Sequence, residues 1–210
     1  MKILIGTQNR SKQRDFGRSI QHAARQKSLD IELVFPQDEN ITEDVDETGK
    51  TFAENSELKA RYYFEKAYAL TNERIPTISD DGGIIIPVLG ENIPGVHSKR
   101  WAGENATDQE IIDFTLKKLE KYPNDSDRAT MFQTYLTYYD GKHLIQATGK
   151  TIGHTSQTQK PGPVMQGFPY RSIFILPNGK YYTDLTQEEH DQYNHRDEAV
   201  RKLLDKISSL

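Results

Sequence analysis

The order of strand and helix patterns along the chain constrains its fold more than any other feature of the sequence. In the first half, short apolar stretches that predict strands alternate with stretches whose apolar residues follow helical spacing. In the middle, Arg128–Tyr139 and His143–Ile152 flank the dipeptide Asp140-Gly141, which is typical of a hairpin turn. Alternation followed by a hairpin favours an α/β fold with a mixed sheet and flanking helices over a purely parallel sheet.

The predicted elements cover most of the chain. Besides the hairpin, strands are predicted at Lys2–Ile5, Ile31–Phe35, Ile75–Ser79, Ile84–Leu89 and Ile173–Leu176. Helices are predicted from Asn9 or Ser11 to about Arg25, from Thr51 to about Leu70, from Thr107 to about Leu119, over part of Leu185–Tyr193, and over Ala199–Ile207. Because no linker-like stretch divides the chain, we predict a single domain over residues 1–210 with two lobes.

Composition excludes several classes of protein. The 210 residues include no cysteine, which excludes a disulfide scaffold, a cysteine-ligated zinc site and a thiol nucleophile. The longest aliphatic runs are about four residues, far below the ~20 that cross a bilayer. The net charge of -4 argues against a broad surface for nucleic acid. The first residues, MKILIGTQNR, lack an apolar stretch of signal-peptide length, so we expect a cytoplasmic protein with neither a membrane nor a nucleic acid as partner.

A polar hexapeptide, Thr7–Lys12, follows the first predicted strand and opens the first predicted helix. The free backbone N–H groups and the dipole at a helix start favour an anion, and Lys12 adds a positive charge. Phosphate is therefore one candidate ligand of this turn. The alternative is ordinary helix capping by Asn9 with a solvated Lys12. The turn is not a P-loop, because the glycines and the Gly-Lys-Ser/Thr ending are missing.

A second polar segment runs from Asp46 to Lys59. Asn55 and Lys59 are four positions apart, so on a helix they share one face, which differs from the face that carries the small packing residues. That face can hold phosphates while Asp46 or Glu47 approaches a metal ion. An acidic loop that leads into an amphipathic helix is the alternative explanation.

The sequence Ser79–Gly83 places two adjacent carboxylates between two predicted strands. Successive side chains on a strand point in opposite directions, but a turn at Asp80 and Asp81 would let both reach one site. Carboxylate oxygens are the ligands that Mg²⁺ takes, and a carboxylate beside the metal can act as general base for water. The alternative is a plain tight turn, in which Asp and Gly are common.

Residues that suit recognition of a nucleotide occur late in the chain. Asn194, His195 and Arg196 stand at the start of the last helix, and Phe168 and Tyr170 lie in a loop that contains Gly and Pro. An arginine can fork onto a carbonyl or a phosphate, and an aromatic ring can stack on a base. The alternative for His195 and Arg196 is a capped helix start with solvated charges.

Taken together and in this order, these segments resemble the inosine triphosphate pyrophosphatase family, which hydrolyses nucleoside triphosphates that carry deaminated purines. The matching stretches run from residue 3 to about residue 205 and are ILIGTQNRSKQRDF, ETGKTFAENSELKAR, ISDDGGI, PGVHSKRWAGENATDQE and LTQEEHDQYNHRDEA. The segment E-T-G-x-T-F-x-E-N, with the Lys-Ala that follows it and the late His-Arg pair, is specific in combination. The resemblance implies an elongated α/β fold with a mixed sheet, two lobes around a central cleft, and a homodimer.

The resemblance also implies a reaction and roles for residues. The family cleaves between the α and β phosphates of its substrate with Mg²⁺, for which Mn²⁺ is a possible substitute, and yields a nucleoside monophosphate and pyrophosphate. In this chain Asp81 would orient or deprotonate the attacking water, and Lys59 would act with it at the phosphates. Asp80 and Asp81, with Asp46 or Glu47, would serve the metal. The substrate-binding positions would be Thr7, Asn9, Lys12, Asn55 and Gly82, together with Phe168, Tyr170, Arg171, His190, His195 and Arg196 at the base.

Several positions depart from the family pattern. Gln8 stands for the glycine of T-G-N, and Gly82 stands for the serine of D-D-S-G, which removes a hydroxyl that can donate to phosphate. In the G-F-G-Y/W-D-P motif, Pro169 replaces a glycine and Arg171 replaces the acidic base reader, while His190 replaces a lysine. The catalytic half is kept and the base-reading half is altered. The same chemistry with a shifted base preference, and a nucleotide-binding protein with little turnover, are therefore alternative functions.

Overall fold

A computed structural model describes residues 1–210, and its backbone forms a six-stranded sheet with flanking helices. The strands are β1 (Lys2–Ile5), β2 (Glu32–Val34), β3 (Thr77–Ile85), β4 (Ala129–Tyr139), β5 (Leu144–Thr155) and β6 (Phe174–Ile175), in the sheet order β2-β1-β3-β4-β5-β6. The helices are α1 (Arg10–Gln26), α2 (Phe52–Thr71), α3 (Asp108–Leu119), α4 (Gln187–Tyr193) and α5 (His195–Ile207). The first strand is parallel to β2 and to β3, whereas β5 and β6 are antiparallel, so the predicted mixed sheet is confirmed.

Side-chain caps fix the starts of four helices, of which α4 begins with the capping box of Thr186 and Glu189. Asn9 accepts hydrogen bonds from two backbone N–H groups in the first turn of α1. Thr51 and Glu54 form a capping box at the start of α2, and Thr107 and Glu110 form another at the start of α3. Each such cap stabilises its helix by about 1 kcal/mol. The predicted starts of α1, α2 and α3 are confirmed. No helix has both the length and the apolar character that crossing a membrane requires.

The chain forms two compact units, each built from separate segments of the sequence. The first unit comprises Met1–Asp81, Thr134–Gly149 and His195–Leu210, and the second comprises Gly82–Gln133 and Lys150–Asn194. The strands β3, β4 and β5 each contribute residues to both units.

Successive residues of β1 pack alternately into two apolar cores of the first unit. Ile3 and Ile5 pack with apolar residues of α1 and α5, whereas Leu4 packs with Tyr63 of α2. Because successive strand residues face opposite sides of the sheet, α1 and α5 cover one face and α2 covers the other. In the second unit, apolar residues of α3, β4 and β6 share one core with Tyr182.

The prediction of a turn at Asp80-Asp81 was wrong, because these residues lie inside β3. Asp and Gly favour turns locally, but pairing with neighbouring strands outweighs this preference. Glycine is required at position 83 by close packing rather than by a turn, since a Cβ there would lie 2.2 Å from the Ser98 hydroxyl oxygen. The strand predicted at Ile84–Leu89 was also wrong beyond residue 85, because Pro87 begins a short 3₁₀ turn.

Other predicted elements differ only in length. The second and last strands are shorter than predicted, at three and two residues. The last helix starts earlier than predicted, at His195 rather than at Ala199. This difference brings His195 and Arg196 into the helix and buries both residues.

Candidate active site

Asp80 is buried in β3 beside two cations. Its side chain is 1% exposed, and its Oδ2 lies 3.2 Å from Lys12 Nζ and 3.8 Å from Arg196 Nη2. Neither carboxylate oxygen has a hydrogen-bond partner of good geometry. Burial raises the pKa of Asp80, but the charges of Lys12, Arg196 and Lys59 outweigh it and lower the pKa to about 2. Asp80 is therefore ionised at neutral pH and keeps unused acceptor capacity.

Asp81, the next residue, meets groups of α2 instead. Its Oδ1 lies 3.3 Å from Lys59 Nζ, and its Oδ2 accepts a hydrogen bond from Asn55 Nδ2 at 3.1 Å. Burial raises the pKa of Asp81 above its ordinary value, and the nearby lysines only partly oppose this. Two neighbouring carboxyl groups whose pKa values are shifted in opposite directions suit two different chemical roles.

Lys59 joins Asp81 to the acidic loop that precedes α2. It is 3% exposed, and its Nζ donates to Glu47 Oε1 at 2.6 Å. Burial lowers the pKa of Lys59, but the surrounding carboxylates raise it above its ordinary range, so the ammonium stays charged. Asp46 is exposed, and the salt bridge of Lys59 with the loop is made with Glu47. Of the two acidic residues considered from the sequence, the structure brings Glu47 to the cluster.

Asn55 is held in one orientation by its two partners. Its Oδ1 accepts from the backbone N–H of Gly49 at 2.7 Å, so its Nδ2 must face Asp81. A Cβ on residue 49 would lie 2.6 Å from Asn55 Oδ1, which explains the glycine of the E-T-G motif. Asn55 thereby fixes the position of the Asp81 carboxylate.

The turn between β1 and α1 is tightly hydrogen-bonded. Asn9 Oδ1 accepts from the backbone N–H groups of Ser11 and Lys12 at 3.0 and 3.2 Å, so the capping alternative is present. The Thr7 carbonyl accepts from Gln13 Nε2 at 2.8 Å. The amide oxygen of Asn9 is an acceptor and is used in capping, so its amide nitrogen is the side-chain group that can donate to a phosphate. Gly82, the other predicted phosphate contact, follows the aspartates within β3 and is partly buried.

Arg196 belongs to the first unit and contributes to the charge around Asp80. It lies in the first turn of α5 and contacts Asp15 of α1, with Nη1 3.7 Å from Oδ2. His195 and Arg196 are 6% and 8% exposed, so the alternative of solvated charges is wrong. Asp15 was missed from the sequence. Its position three residues after Lys12, on the same helix face, is the signal that could have identified it.

In the second unit, Arg171 is stacked between aromatic rings. Its guanidinium carbon lies 4.0 Å from the ring centroid of Phe168 and 5.3 Å from that of Tyr182. Its Nη1 donates to Met165 Sδ at 3.3 Å. The His190 ring meets Tyr182 edge to face, with 5.7 Å between the centroids. Arg171 and His190 therefore contact one aromatic side chain from two directions.

Pro169 and Tyr170, which precede Arg171 in the chain, contribute to the local structure. Pro169 starts a 3₁₀ turn over Pro169–Ser172, and this turn leaves Arg171 only 8% exposed rather than directed into solvent. Tyr170 lies in the apolar core of the second unit, and its hydroxyl donates to the Ser98 carbonyl at 2.7 Å. Phe168 is the predicted aromatic residue that remains partly exposed.

The carboxylates of the first unit can take part in a metal site only if a substrate supplies further ligands. No group of three or more His, Cys, Asp or Glu side chains is arranged to hold a metal ion. Mg²⁺, however, is often bound by one or two carboxylates together with substrate phosphates. The unused acceptor capacity of Asp80 and the all-oxygen donor set fit an ion that is shared with a phosphate.

Comparison with known proteins identifies the family. The family model described as "Ham1 family" matches residues 3–206. The chain belongs to the Ham1 family. Relatives named dITP/XTP pyrophosphatase in Salmonella paratyphi A and Thermoanaerobacter sp. are 34% and 33% identical to it. These alignments cover 98% of both chains in the first case, and 99% of this chain and 96% of the relative in the second.

Solved structures of Ham1 proteins share the fold. The HAM1 protein of Coxiella burnetii has a TM-score of 0.81 at 28% identity, with all of both chains covered. The Staphylococcus aureus Ham1 protein has a TM-score of 0.79 at 26% identity, over 100% of this chain and 99% of that one. The family resemblance inferred from the motifs and the predicted α/β fold are confirmed.

Proposed function

We propose that this Ham1 protein hydrolyses nucleoside triphosphates of deaminated purines, such as ITP, dITP and XTP, to a nucleoside monophosphate and pyrophosphate. The observation that carries the proposal is one buried cluster in which adjacent aspartates of β3 each meet a different lysine. A triphosphate with its counter-ion needs cations and carboxylates interleaved in this way. The dITP/XTP pyrophosphatase names of the relatives support the substrate class.

The phosphates would bind where the cations converge. Lys12 lies in the first turn of α1, where backbone N–H groups and the helix dipole also favour an anion. Lys59 and Arg196 add two buried positive charges from α2 and α5. The amide nitrogen of Asn9 and the hydroxyl of Thr7 would complete the phosphate contacts.

Glu47, Asp80 and Asp81 would hold Mg²⁺ only together with the substrate phosphates, and Mn²⁺ could replace it because both ions take oxygen ligands. When bound, Mg²⁺ neutralises phosphate charge and polarises the phosphoryl oxygens. Lys59 contacts two of these carboxylates, so its ammonium must share them with the ion.

Asp81 would orient and deprotonate the attacking water. Its raised pKa makes it a better base than an ordinary aspartate, and Asn55 holds it in place. Asp80, whose pKa is lowered, would remain a fixed negative charge. Lys59 would stabilise the charge that develops on the phosphates, and positioning with charge stabilisation would supply most of the rate.

The family resemblance implies that Phe168, Tyr170, Arg171, His190, His195 and Arg196 would contact the base. Arg171 can only donate hydrogen bonds, which favours the alternative of the same chemistry with a shifted base preference. The homodimer and the cytoplasmic location stay predictions from the sequence. Sedimentation equilibrium of the purified chain tests the first of these.

The test is a pyrophosphate-release assay with ITP, XTP, dITP, GTP and ATP, with and without added Mg²⁺ after EDTA treatment. We expect Mg²⁺-dependent release of pyrophosphate, with the deaminated purines among the better substrates. Release of orthophosphate instead would contradict the proposed bond cleavage. Full activity without a divalent ion would contradict the metal assignment. Nucleotide binding by calorimetry without turnover would support the binding-protein alternative.

A further inference from the structure

The acidic loop that carries Glu47 has no regular secondary structure. Residues 41–47, here called the acidic segment, lie between the 3₁₀ turn Pro36–Glu39 and the Thr51 cap of α2. The repeating backbone hydrogen bonds of a helix or strand therefore do not fix its path. Its position, and therefore the position of the Glu47 carboxylate, depends on individual contacts.

Side chains of α2 make four of these contacts, one of which is the hydrogen bond from the Tyr62 hydroxyl to Glu43 at 3.3 Å. Glu43 pairs with Lys66, Asp44 accepts from the Tyr63 hydroxyl at 2.7 Å, and Glu47 pairs with Lys59. Lys66, Tyr63 and Lys59 occur in descending order along α2, so the segment runs against the direction of the helix. Exposed ion pairs such as the one at Glu43 contribute little, because solvent screens them.

Gln8 contacts the main chain of the segment with its side chain, from outside α2. Its Nε2 donates to the Ile41 carbonyl at 2.9 Å and to the Glu43 carbonyl at 3.1 Å. Both N–H groups of one amide are thus used on the main chain of the segment. Bonds to carbonyls restrain the backbone itself, whereas the contacts with α2 restrain only side chains. Ile41, at one end, is 3% exposed and packs with Tyr63.

We propose that Gln8 is a positioning residue, which fixes the main chain of the acidic segment so that Glu47 stays beside Lys59 and Asp81. The role in catalysis rests on the function proposed above. Gln8 stands between Thr7 and Asn9, so one side chain connects the phosphate-binding turn to the segment that carries a metal ligand. A glycine at this position, as in T-G-N, has no amide group with which to make the connection.

The first measurement is amide hydrogen exchange of residues 41–49 in the protein without nucleotide or metal. Gln8→Met keeps the length of the side chain and removes both donors. Because two hydrogen bonds are lost, we expect exchange in this segment to become about 5- to 30-fold faster. Gln26→Ala, an exposed glutamine at the end of α1, is the matched control and should leave this exchange unchanged.

The second measurement separates positioning from a general structural effect. Gln8→Met should raise the Mg²⁺ concentration for half-maximal ITP hydrolysis about 3- to 10-fold, and kcat at saturating Mg²⁺ should change less than about threefold. In a Glu47→Gln background the added Gln8→Met change should no longer affect the Mg²⁺ requirement, because the group that it positions is gone.

The outcomes are distinct. Unchanged exchange in Gln8→Met overturns the role of Gln8 in holding the segment. Faster exchange with an unchanged Mg²⁺ requirement, or an equal effect with and without Glu47, overturns the positioning of Glu47. If the wild-type protein hydrolyses no nucleotide, the exchange experiment still decides whether Gln8 holds the segment, and the failure belongs to the proposed function.

Discussion

Asp80 and Asp81 are consecutive residues of β3, yet their carboxylates lie beside lysines from different helices. Asp80 lies 3.2 Å from Lys12 of α1. Asp81 lies 3.3 Å from Lys59 of α2. Each aspartate also feels the charge of the other lysine, so the four groups form one cluster. The pKa of Asp80 is lowered and that of Asp81 is raised, which suits the two residues to different roles.

Asp81→Asn should remove most of the activity and leave the fold intact. The change is nearly isosteric but removes the base, and general base catalysis typically contributes about 10²- to 10⁴-fold. The measurement is kcat for ITP with a circular dichroism spectrum of each variant. Asp113→Asn, an exposed aspartate of α3, is the control. A kcat within about threefold of wild type would refute the role of Asp81.

Local signals in the sequence predicted the helix starts well. Asn9, Thr51 and Thr107 cap helices with their own side chains, so the information lies within a few residues of each start. The D-D-G-G segment was mistaken for a turn because the contacts that keep it extended are distant in sequence. One of them is the hydrogen bond from Thr134 Oγ1 to the Asp81 carbonyl.

In the candidate site too, residues within local motifs were predicted, whereas contacts between distant segments were not. Asp81 and Lys59 were predicted because they belong to recognisable motifs, and the structure brings them together. The contact of Asp15 with Arg196 and the two bonds of Gln8 were not predicted, because each joins elements that only the tertiary fold brings close. A single glutamine carries no pattern that would indicate its partners.

Lys59→Met should weaken the reaction and strengthen binding of the ion alone. The ammonium contacts Glu47 and Asp81, so its loss leaves two carboxylates without their shared counter-charge. We expect kcat/KM for ITP to fall about 10²- to 10³-fold, as for loss of one buried group that stabilises transition-state charge. Calorimetry with Mg²⁺ alone should show tighter binding than in wild type. Lys117→Met, an exposed control on α3, should change neither quantity; unchanged Mg²⁺ affinity in Lys59→Met would show that the lysine does not compete with the ion.

Asp140, in the hairpin turn between β4 and β5, should make a pH-dependent contribution to the free energy of unfolding. Asp140 Oδ1 accepts from the backbone N–H groups of Lys142 and His143, and Oδ2 meets the His143 ring. Partial burial raises the pKa of Asp140, but these hydrogen bonds outweigh it and lower the pKa from 3.8 to about 2. Because the folded pKa is the lower one, the stabilisation is complete above about pH 4 and is lost as the pH falls towards 2.

Asp140→Asn should therefore lower Tm at pH 7 by about 2–4 °C, since roughly 1 kcal/mol of hydrogen bonding is lost. At pH 2 the Tm values of the variant and the wild type should converge. The measurement is thermal unfolding followed by circular dichroism from pH 2 to pH 7. A difference in Tm that stays constant over this range would contradict the assignment of the pH dependence to Asp140.

Arg171→Asp should restore preference for an oxo-purine if residue 171 reads the base. Hypoxanthine presents an N1–H donor, whereas the N1 of adenine is an acceptor, and the guanidinium of Arg171 offers donors only. A buried unpaired donor costs about 1–3 kcal/mol, so the ratio of kcat/KM for ITP to that for ATP should rise at least about fivefold in the variant. Arg171→Met removes the guanidinium without supplying an acceptor. It therefore shows how much of the change comes from removing donors that face the N1–H group, and how much comes from a new hydrogen bond to Asp. Since the side chain is stacked on Phe168, both variants need a check of folding by thermal unfolding. A folded Arg171→Asp protein with an unchanged ratio would show that Arg171 supports Phe168 and does not read the base.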